Sequence, residues 1–252
     1  MKVSIITAVY NGEQVLDDSI RSVKKQTYQN IEQIFVDGLS TDNSLNVIKK
    51  YLGQNDKLIS EEDDGIYNAL NKGISASSGD IIGFAHSDDI LSRNNIINKI
   101  VDQFVKTGCD AVYGDIEYIS KKSQKRIRYW KSSDFSKQKL VNGWMPPHPS
   151  LFIKRKFLNK DNLFNENYKI SADYDYILRL FSQEGFNACY IPMVVTKMRL
   201  GGASNANLSK IMLKMKEDYL AIKNNNVGGI KTLILKNLRK TFQFFSGAQG
   251  RT

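Results

Sequence analysis

Short apolar runs, each followed by a single amphipathic segment, constrain this chain more than any other feature. VSIITAV (residues 3–9) is largely β-branched and apolar, as a strand buried on both faces should be. IEQIFVDG (31–38), KLIS (57–60) and DIIGFA (80–85) read as further strands. Between them, residues 13–26 place Val15, Leu16, Ile20 and Val23 at helical spacing. A second helix carries Leu45, Val47, Ile48, Tyr51 and Leu52, with Ser40 or Thr41 as its cap. Helices over 66–77 and 94–106 follow, the latter stopped by Gly108. This alternation predicts βαβ units and a mainly parallel sheet flanked by helices. Ligands of such sheets bind beyond the carboxyl ends of the strands. Three polar clusters fall there: Thr7–Asn11, Asp37–Asp42 and His86–Asp89.

The second half is less regular. Residues 110–120 and 125–130 read as strands of a mixed region, and 141–152 holds three of the four prolines, a stiff loop entering a strand near Leu151. Residues 171–185 form a helix with acidic residues at its start, and 186–200 form one or two strands. The opening apolar run meets Asn11-Gly12 too soon for a secretory leader, and no apolar run reaches the length of a membrane span. Cys109 and Cys189 lie far apart outside any CxxC pattern, so a reducing compartment is expected.

Charge separates the chain into two parts. Residues 1–196 hold 25 Lys/Arg against 24 Asp/Glu, a net of +1, whereas 197–252 hold 11 against 2, a net of +9. A nucleic-acid protein carries its basic stripe on the folded body, so no nucleic-acid partner is expected. The tail meets something acidic instead. Within 230–245, Ile230, Leu233, Ile234, Leu238, Phe242 and Phe245 share a helical face, with Lys231, Lys236, Arg239 and Lys240 largely elsewhere. Such a helix either packs its apolar face on the body or lies on an anionic membrane surface.

Ser87-Asp88-Asp89 closes the apolar run Ile81–Ala85. Adjacent ionised carboxylates repel, and burying one without a partner is costly. Either Asp89 or Ser92 caps the following helix, or a divalent cation with water and phosphate ligands relieves the repulsion. VSIITAVYNG, VDGLSTDNS, GIYNALNKGISASSGDIIGFAHSDD and SADYDYILRL occur in this order. Through them the chain resembles the family 2 glycosyltransferases of GT-A fold, and is similar to bacterial members that build surface polysaccharides. The resemblance is strong over residues 2–90 and thinner to about 202.

The resemblance implies an inverting, in-line transfer of a sugar from a UDP-, GDP- or dTDP-linked donor to an acceptor hydroxyl. Thr7, Ala8 and Tyr10 would line the nucleoside pocket, and Asp37 would accept a hydrogen bond from the base. Asp64 and Asn71 match positions lining the nucleotide site; Asp88 would hold ribose or a metal-bound water, and Asp89 would ligate Mn²⁺ or Mg²⁺. Asp173 matches the general base, with Asp175 stabilising the helix start. His148 would touch acceptor or metal, and Arg199, ahead of the flexible Gly201-Gly202 pair, the diphosphate. Each has a structural alternative: a capping turn for Asp37, a solvated helix face for Asn68 and Asn71, a helix cap for Asp173, and a salt bridge elsewhere for Arg199. The chain also departs from the family pattern. It reads Asp37-Gly38-Leu39-Ser40 where Asp-Asp-Gly-Ser is common, Ser87 stands for the first Asp of the DxD-type motif, and Ala172 replaces a Glu.

The expected organisation is a GT-A domain over 1–205, with a nucleotide half (1–115) and an acceptor half (116–205), followed by a basic helical tail (206–252). A glycan or lipid-linked acceptor and a place on the cytoplasmic face of the inner membrane go with it. A sugar nucleotidyltransferase would need a Gly-rich phosphate loop after the first strand, and Ala8-Val9-Tyr10-Asn11 is not one. The intact acidic set argues against a non-catalytic carbohydrate-binding relative.

Overall fold

Val3–Val9 forms strand β1, and all seven of its residues are buried. A computed structural model describes residues 1–121, 123–158, 163–199 and 208–246, the side chains of 241–246 excepted. β1 pairs in parallel with β2 (Ile31–Asp37) on one side and β4 (Ile81–Phe84) on the other, and β2 pairs in parallel with β3 (Lys57–Ser60). Helices α1 (Glu13–Lys24), α2 (Ser44–Tyr51) and α3 (Ile66–Ala76) make the crossovers. The expected βαβ alternation is therefore present.

Beyond β4 the sheet is mixed. Its order is β3-β2-β1-β4-β8-β6-β9-β5, where β5 is Asp89–Leu91, β6 is Ala111–Ile119, β8 is Phe152–Lys154 and β9 is Ala188–Arg199. β7 (Arg126–Trp130) hangs on the outer part of β6 as an antiparallel partner. The 186–200 stretch is a single strand, parallel to β6 and antiparallel to β5.

Two local expectations are corrected. Neither Ser40 nor Thr41 caps α2. The carboxylate of Asp42 instead accepts from the N–H of Ser44 at 2.9 Å and of Glu13 at 3.0 Å, serving the starts of both α2 and α1. Nor does Asp89 or Ser92 cap a helix: Asp89 opens β5, opposite Met198, and α4 (Ile96–Thr107) begins after Asn95. A carboxylate at the first residue of a strand is drawn inward because β9 covers it.

The C-terminal helices α7 (Leu208–Asn224) and α8 (Ile230–Ser246) fold back on the body. α8 lies against β7 and α7. Of the two expected arrangements, it is not the one in which the whole apolar face packs on the body. Thr232 is buried and Lys236 nearly so, whereas Ile230, Ile234 and Leu238 are 64%, 53% and 49% exposed. Only Leu233 of the described apolar set packs on the core. The Phe242 and Phe245 side chains and the Gly201-Gly202 pair lie outside the described residues.

One carboxylate on α7 explains this orientation. Asp218, buried, takes ion pairs from Lys214 at 2.8 Å and Lys236 at 2.5 Å, so α8 presents its lysine inward. Close approach is possible because Gly143 has φ +74° and no Cβ; a Cβ there would stand 2.4 Å from the amide nitrogen of Lys236.

At the other end, Glu32 ties β2 to the α3–β4 connection. Its buried carboxylate pairs with Lys2 at 2.5 Å and accepts from Ser4 Oγ and from the amide and hydroxyl of Ser78. Burial alone would push this carboxyl up, but the Lys2 ammonium and the Ser4 and Ser78 hydrogen bonds outweigh it and hold it at about 2. A depressed folded-state value means stabilisation that is complete above the ordinary Glu value and lost as pH falls toward 2. Acid titration of unfolding free energy should therefore show a loss between about pH 4.5 and 2, and Glu32→Gln should flatten that segment.

Candidate active site

The loops after β1 and β2 are laced together at the carboxyl edge of the sheet. Asn11 Oδ1 accepts from the Thr41 amide at 2.8 Å, and Ser40 Oγ accepts from the Asn11 amide at 2.9 Å. Asn11 and Leu39 both take left-handed backbone, with φ 49° and 57°. Asp37, fully buried at the end of β2, spends one oxygen: Oδ2 accepts from Ser40 N–H at 3.2 Å and Ser60 Oγ at 2.9 Å. Its Oδ1 has no partner. The residue is thus the turn anchor, with its second oxygen a buried acceptor left without a partner among the described residues.

The other residues of this edge differ in what they offer. Tyr10 is 67% exposed, a ring free to cover a planar group. Thr7 and Ala8 are buried, and Thr7 Oγ1 accepts from Gln33 Nε2 at 3.0 Å. Asp64 is exposed; its neighbour Asp63 turns inward, so that a Cβ on Gly38 would meet its carboxylate at 2.3 Å. Asn71 is neither at this edge nor solvated. Its amide is consumed by Phe164 (2.9 Å and 3.0 Å) and Glu166 (2.6 Å), tying α3 to the segment before α6 (Ala172–Phe181). Asn68 reaches the same Glu166.

Past the end of β4, His86 to Asp89 fold into a tight turn. The His86 amide donates to Asp89 Oδ2 at 3.2 Å, and the Asp89 amide returns to the His86 carbonyl at 3.0 Å. Asp89 is wholly buried with Oδ1 unpartnered. Burial, and then Asp88 beside it, push its carboxyl well above the ordinary range, against the pull of the His86 amide and Arg199. Asp88 is half-buried. Arg199 is already committed: it pairs with Asp18 and donates to the Val15 carbonyl at 3.2 Å, clamping β9 to α1.

A cavity of about 710 Å³ opens beside this turn, lined among others by His86, His148, Asp173, Tyr118, Trp130 and Lys236. His148 is packed between Phe84 (centroids 5.0 Å) and Phe164 (5.6 Å), with His86 at 5.9 Å. Burial and then His86 drive it down to about 3, so it is neutral, and its Nε2 has no partner. Burial also lowers His86, while Asp88 and Asp173 oppose the shift. Asp173 sits in the first turn of α6, where burial raises its carboxyl despite the pull of Lys214 and Lys236. Asp175 is structural: it pairs with Arg179 at 2.9 Å and accepts from Asn225 Nδ2 at 2.9 Å.

The fold therefore brings His86, Asp88, His148 and Asp173 together and leaves Thr7 and Asp37 on the neighbouring strand ends. A resident cation has limited support from protein ligands. Among the described residues no three His, Cys, Asp or Glu side chains converge as a metal site. One or two carboxylates completed by phosphate and water is nonetheless how Mg²⁺ is commonly held. Asp89, with a buried unpartnered oxygen, and Asp88 beside it fit that pattern.

Glu217 has a role that sequence reasoning missed. From α7 its buried carboxylate accepts three backbone N–H bonds, from Lys169 (2.8 Å), Ile170 (2.8 Å) and Ser171 (2.9 Å), and so fixes the approach to Asp173. Nothing within KMKEDYL marks it, since a Glu among lysines reads as a solvated face.

Comparison with known proteins agrees with this layout. The family model for Glycosyl transferase family 2 matches residues 4–188. A PGL/p-HBAD biosynthesis glycosyltransferase of Mycobacterium tuberculosis is 29% identical over 217 residues, covering 84% of this chain and 82% of that one. The S. aureus TarS structure with UDP-GlcNAc superposes with a TM-score of 0.72 at 17% identity, over 98% of this chain and 73% of that one. The mannosyltransferase PcManGT of Pyrobaculum calidifontis, solved with GDP-Man and Mn²⁺, gives 0.65 at 15% identity, over 100% and 76%. At such identities the likeness establishes the GT-A fold.

Removing the Glu217 carboxylate strands three backbone N–H groups, one buried and two part-buried. Glu217→Ala should cost about 3 kcal/mol, read as a lower urea midpoint at unchanged m-value.

Proposed function

The chain belongs to glycosyltransferase family 2, and from that membership we propose that it is an inverting, cation-dependent enzyme. It moves a sugar from a nucleotide-sugar onto a hydroxyl of a lipid-linked glycan. The observation that carries the reading is Asp173, a carboxylate in the first turn of α6 that faces a large cavity in common with the β4 turn. Relatives of the same fold solved with UDP-GlcNAc and with GDP-Man support a nucleotide-sugar donor.

On this reading the donor lies across the strand ends. Asp37 Oδ1 accepts from the base, Tyr10 covers it, and Thr7 and Ala8 form the floor; Asp64, with Asp63 beside it, closes the loop side. Asp88 and Asp89 would hold a Mn²⁺ or Mg²⁺ ion, whose charge would offset that of the departing diphosphate. The acceptor hydroxyl enters from the cavity, and Asp173 takes its proton as the oxygen attacks the anomeric carbon. His148, neutral and unprotonated at Nε2 or Nδ1, offers a hydrogen bond to the acceptor without competing for that proton. Asn71 and Arg199 act indirectly, holding the walls that carry Asp173 and Asp89. Residues 1–205 form the catalytic domain, and α7 and α8 complete the acceptor side.

The orientation of α8 supports membrane attachment. With Lys236 turned inward, α8 exposes Ile230, Ile234 and Leu238, and α7 exposes Leu208, Ile211 and Met212 near its start. The surrounding chain carries a net of +9 over 197–252. Exposed apolar side chains among cations suit an anionic lipid surface, each Lys or Arg adding about 1 kcal/mol. None of the described helices is long and apolar enough to cross a membrane.

Two experiments test the reading. A melting-shift screen of UDP-, GDP- and dTDP-sugars with Mn²⁺ or Mg²⁺ should yield one strong stabiliser. Asp173→Asn should keep that shift and lose transfer by about 10²–10⁴-fold, the usual worth of a general base; loss of both together would count against the assignment. For the membrane, Ile234→Asp with Leu238→Asp should release the protein from anionic vesicles in sedimentation, and unchanged pelleting would overturn that attachment.

A further inference from the structure

The cavity in front of Asp173 is far more basic than the folded body that holds it. Six cations line it: Arg128 and Lys131 at the end of β7, Lys214 on α7, and Lys236, Arg239 and Lys240 on α8. Among the described residues Asp173 is the only lining carboxylate, and Asp218 behind Lys214 and Lys236 serves both. These cations are held in place. Arg128 stacks on Tyr118 at 4.6 Å, Lys236 stands 3.8 Å from the Tyr174 ring, and Arg239 Nε donates to the Asn142 carbonyl at 3.0 Å. Burial, with Lys214 adding to it, lowers the Lys236 ammonium to about 7 in spite of Asp218.

The neutral groups of the wall point to the same kind of ligand. Ser132 Oγ, Trp144 Nε1 and Tyr174 Oη belong to lining residues, are buried, and have no hydrogen-bond partner among the described residues. All three can donate, and the indole can only donate. Buried donors left unpaired are rare in folded proteins and call for an acceptor-rich ligand. The donor nucleotide does not account for them, because Thr7, Asp37 and Asp64 at the strand ends are absent from this wall.

We propose that this cavity is a phosphate-recognition subsite, and that the acceptor is a glycan carrying a phosphate or diphosphate ester close to the hydroxyl that is glycosylated. The proposal rests on the glycosyltransferase reading and names its acceptor class. Cations and buried donors bind the phosphate oxygens, while Trp130 and Tyr118 flank the sugar. The subsite is assembled from both ends of the chemistry-bearing half: β7 supplies one wall and the C-terminal helices the other. The tail is thus part of the substrate site as well as a contact surface.

The chain has two tryptophans, Trp130 and Trp144, and both line the cavity, so their fluorescence reports on it directly. The test is a titration of the full chain with inorganic pyrophosphate and, separately, sodium chloride at matched ionic strength, with a chelator present. Pyrophosphate should give a saturable change that chloride does not. Lys240→Ala and Arg239→Ala, at rim positions on α8, should each weaken it about tenfold, the worth of one charge-assisted contact. Repeating the titration with the nucleoside diphosphate found in the melting screen at saturation separates the two sites. Persistence of the signal supports the subsite, whereas its loss to nucleotide assigns the anion to the donor site and overturns the proposal. An absent signal, or one indifferent to both variants, overturns it as well. If the melting screen yields no nucleotide while pyrophosphate still binds with the expected variant losses, the donor reading fails and the subsite stands. A glucuronate signal equal to that of glucose 1-phosphate would replace phosphate by carboxylate and refute the ester assignment.

Discussion

Parallel pairing of β1 with both β2 and β4 is the constraint on which the rest depends. A strand hydrogen-bonded on both edges and covered on both faces leaves no place for a free polar group along its length. Polar side chains are admitted where they find partners, as Ser4 does with Glu32 and Thr7 with Gln33. Groups that must stay open to a ligand can occur only where the strands stop. Asn11, Asp37 and the His86–Asp89 turn all sit at such stops, and α1, α2 and α3 keep the strand order that lines them up.

The half of the chain around the cavity is organised differently, by buried charge. Glu217 and Asp218 are consecutive on α7 yet do separate jobs. Glu217 takes three backbone N–H groups ahead of α6 and so sets the position of Asp173, while Asp218 draws Lys214 and Lys236 together and seats α8. Buried charge pairs add little net stability against apolar packing, but they are demanding about geometry. Here the geometry in question is a cavity wall.

Much of the donor edge was legible in the sequence because period and punctuation carry it. β-branched runs, the Asn11-Gly12 break, the Asp37–Asp42 turn and the paired Asp88-Asp89 all announce strand ends without reference to distant residues. What was not legible involves partners far along the chain. Asn71 looks like a solvated helix residue until Phe164 and Glu166 arrive, and Arg199 looks like a loop cation until Asp18 claims it. Asp89 looks like a helix cap, but β9 converts it into the first residue of a strand.

The sequence by itself therefore determined the parallel half-sheet, the polar strand ends and the family, since each is written in local periodicity or in ordered short motifs. Tertiary structure alone decided which face of α8 turns inward. Helical periodicity groups Ile230, Ile234 and Leu238 as the packing face, and hydrophobicity would bury them. A buried Asp218 outweighs that preference, because an unpaired carboxylate in the interior costs more than three partly exposed aliphatic side chains. That single inversion places lysines over Asp173 and leaves an apolar stripe on the outside.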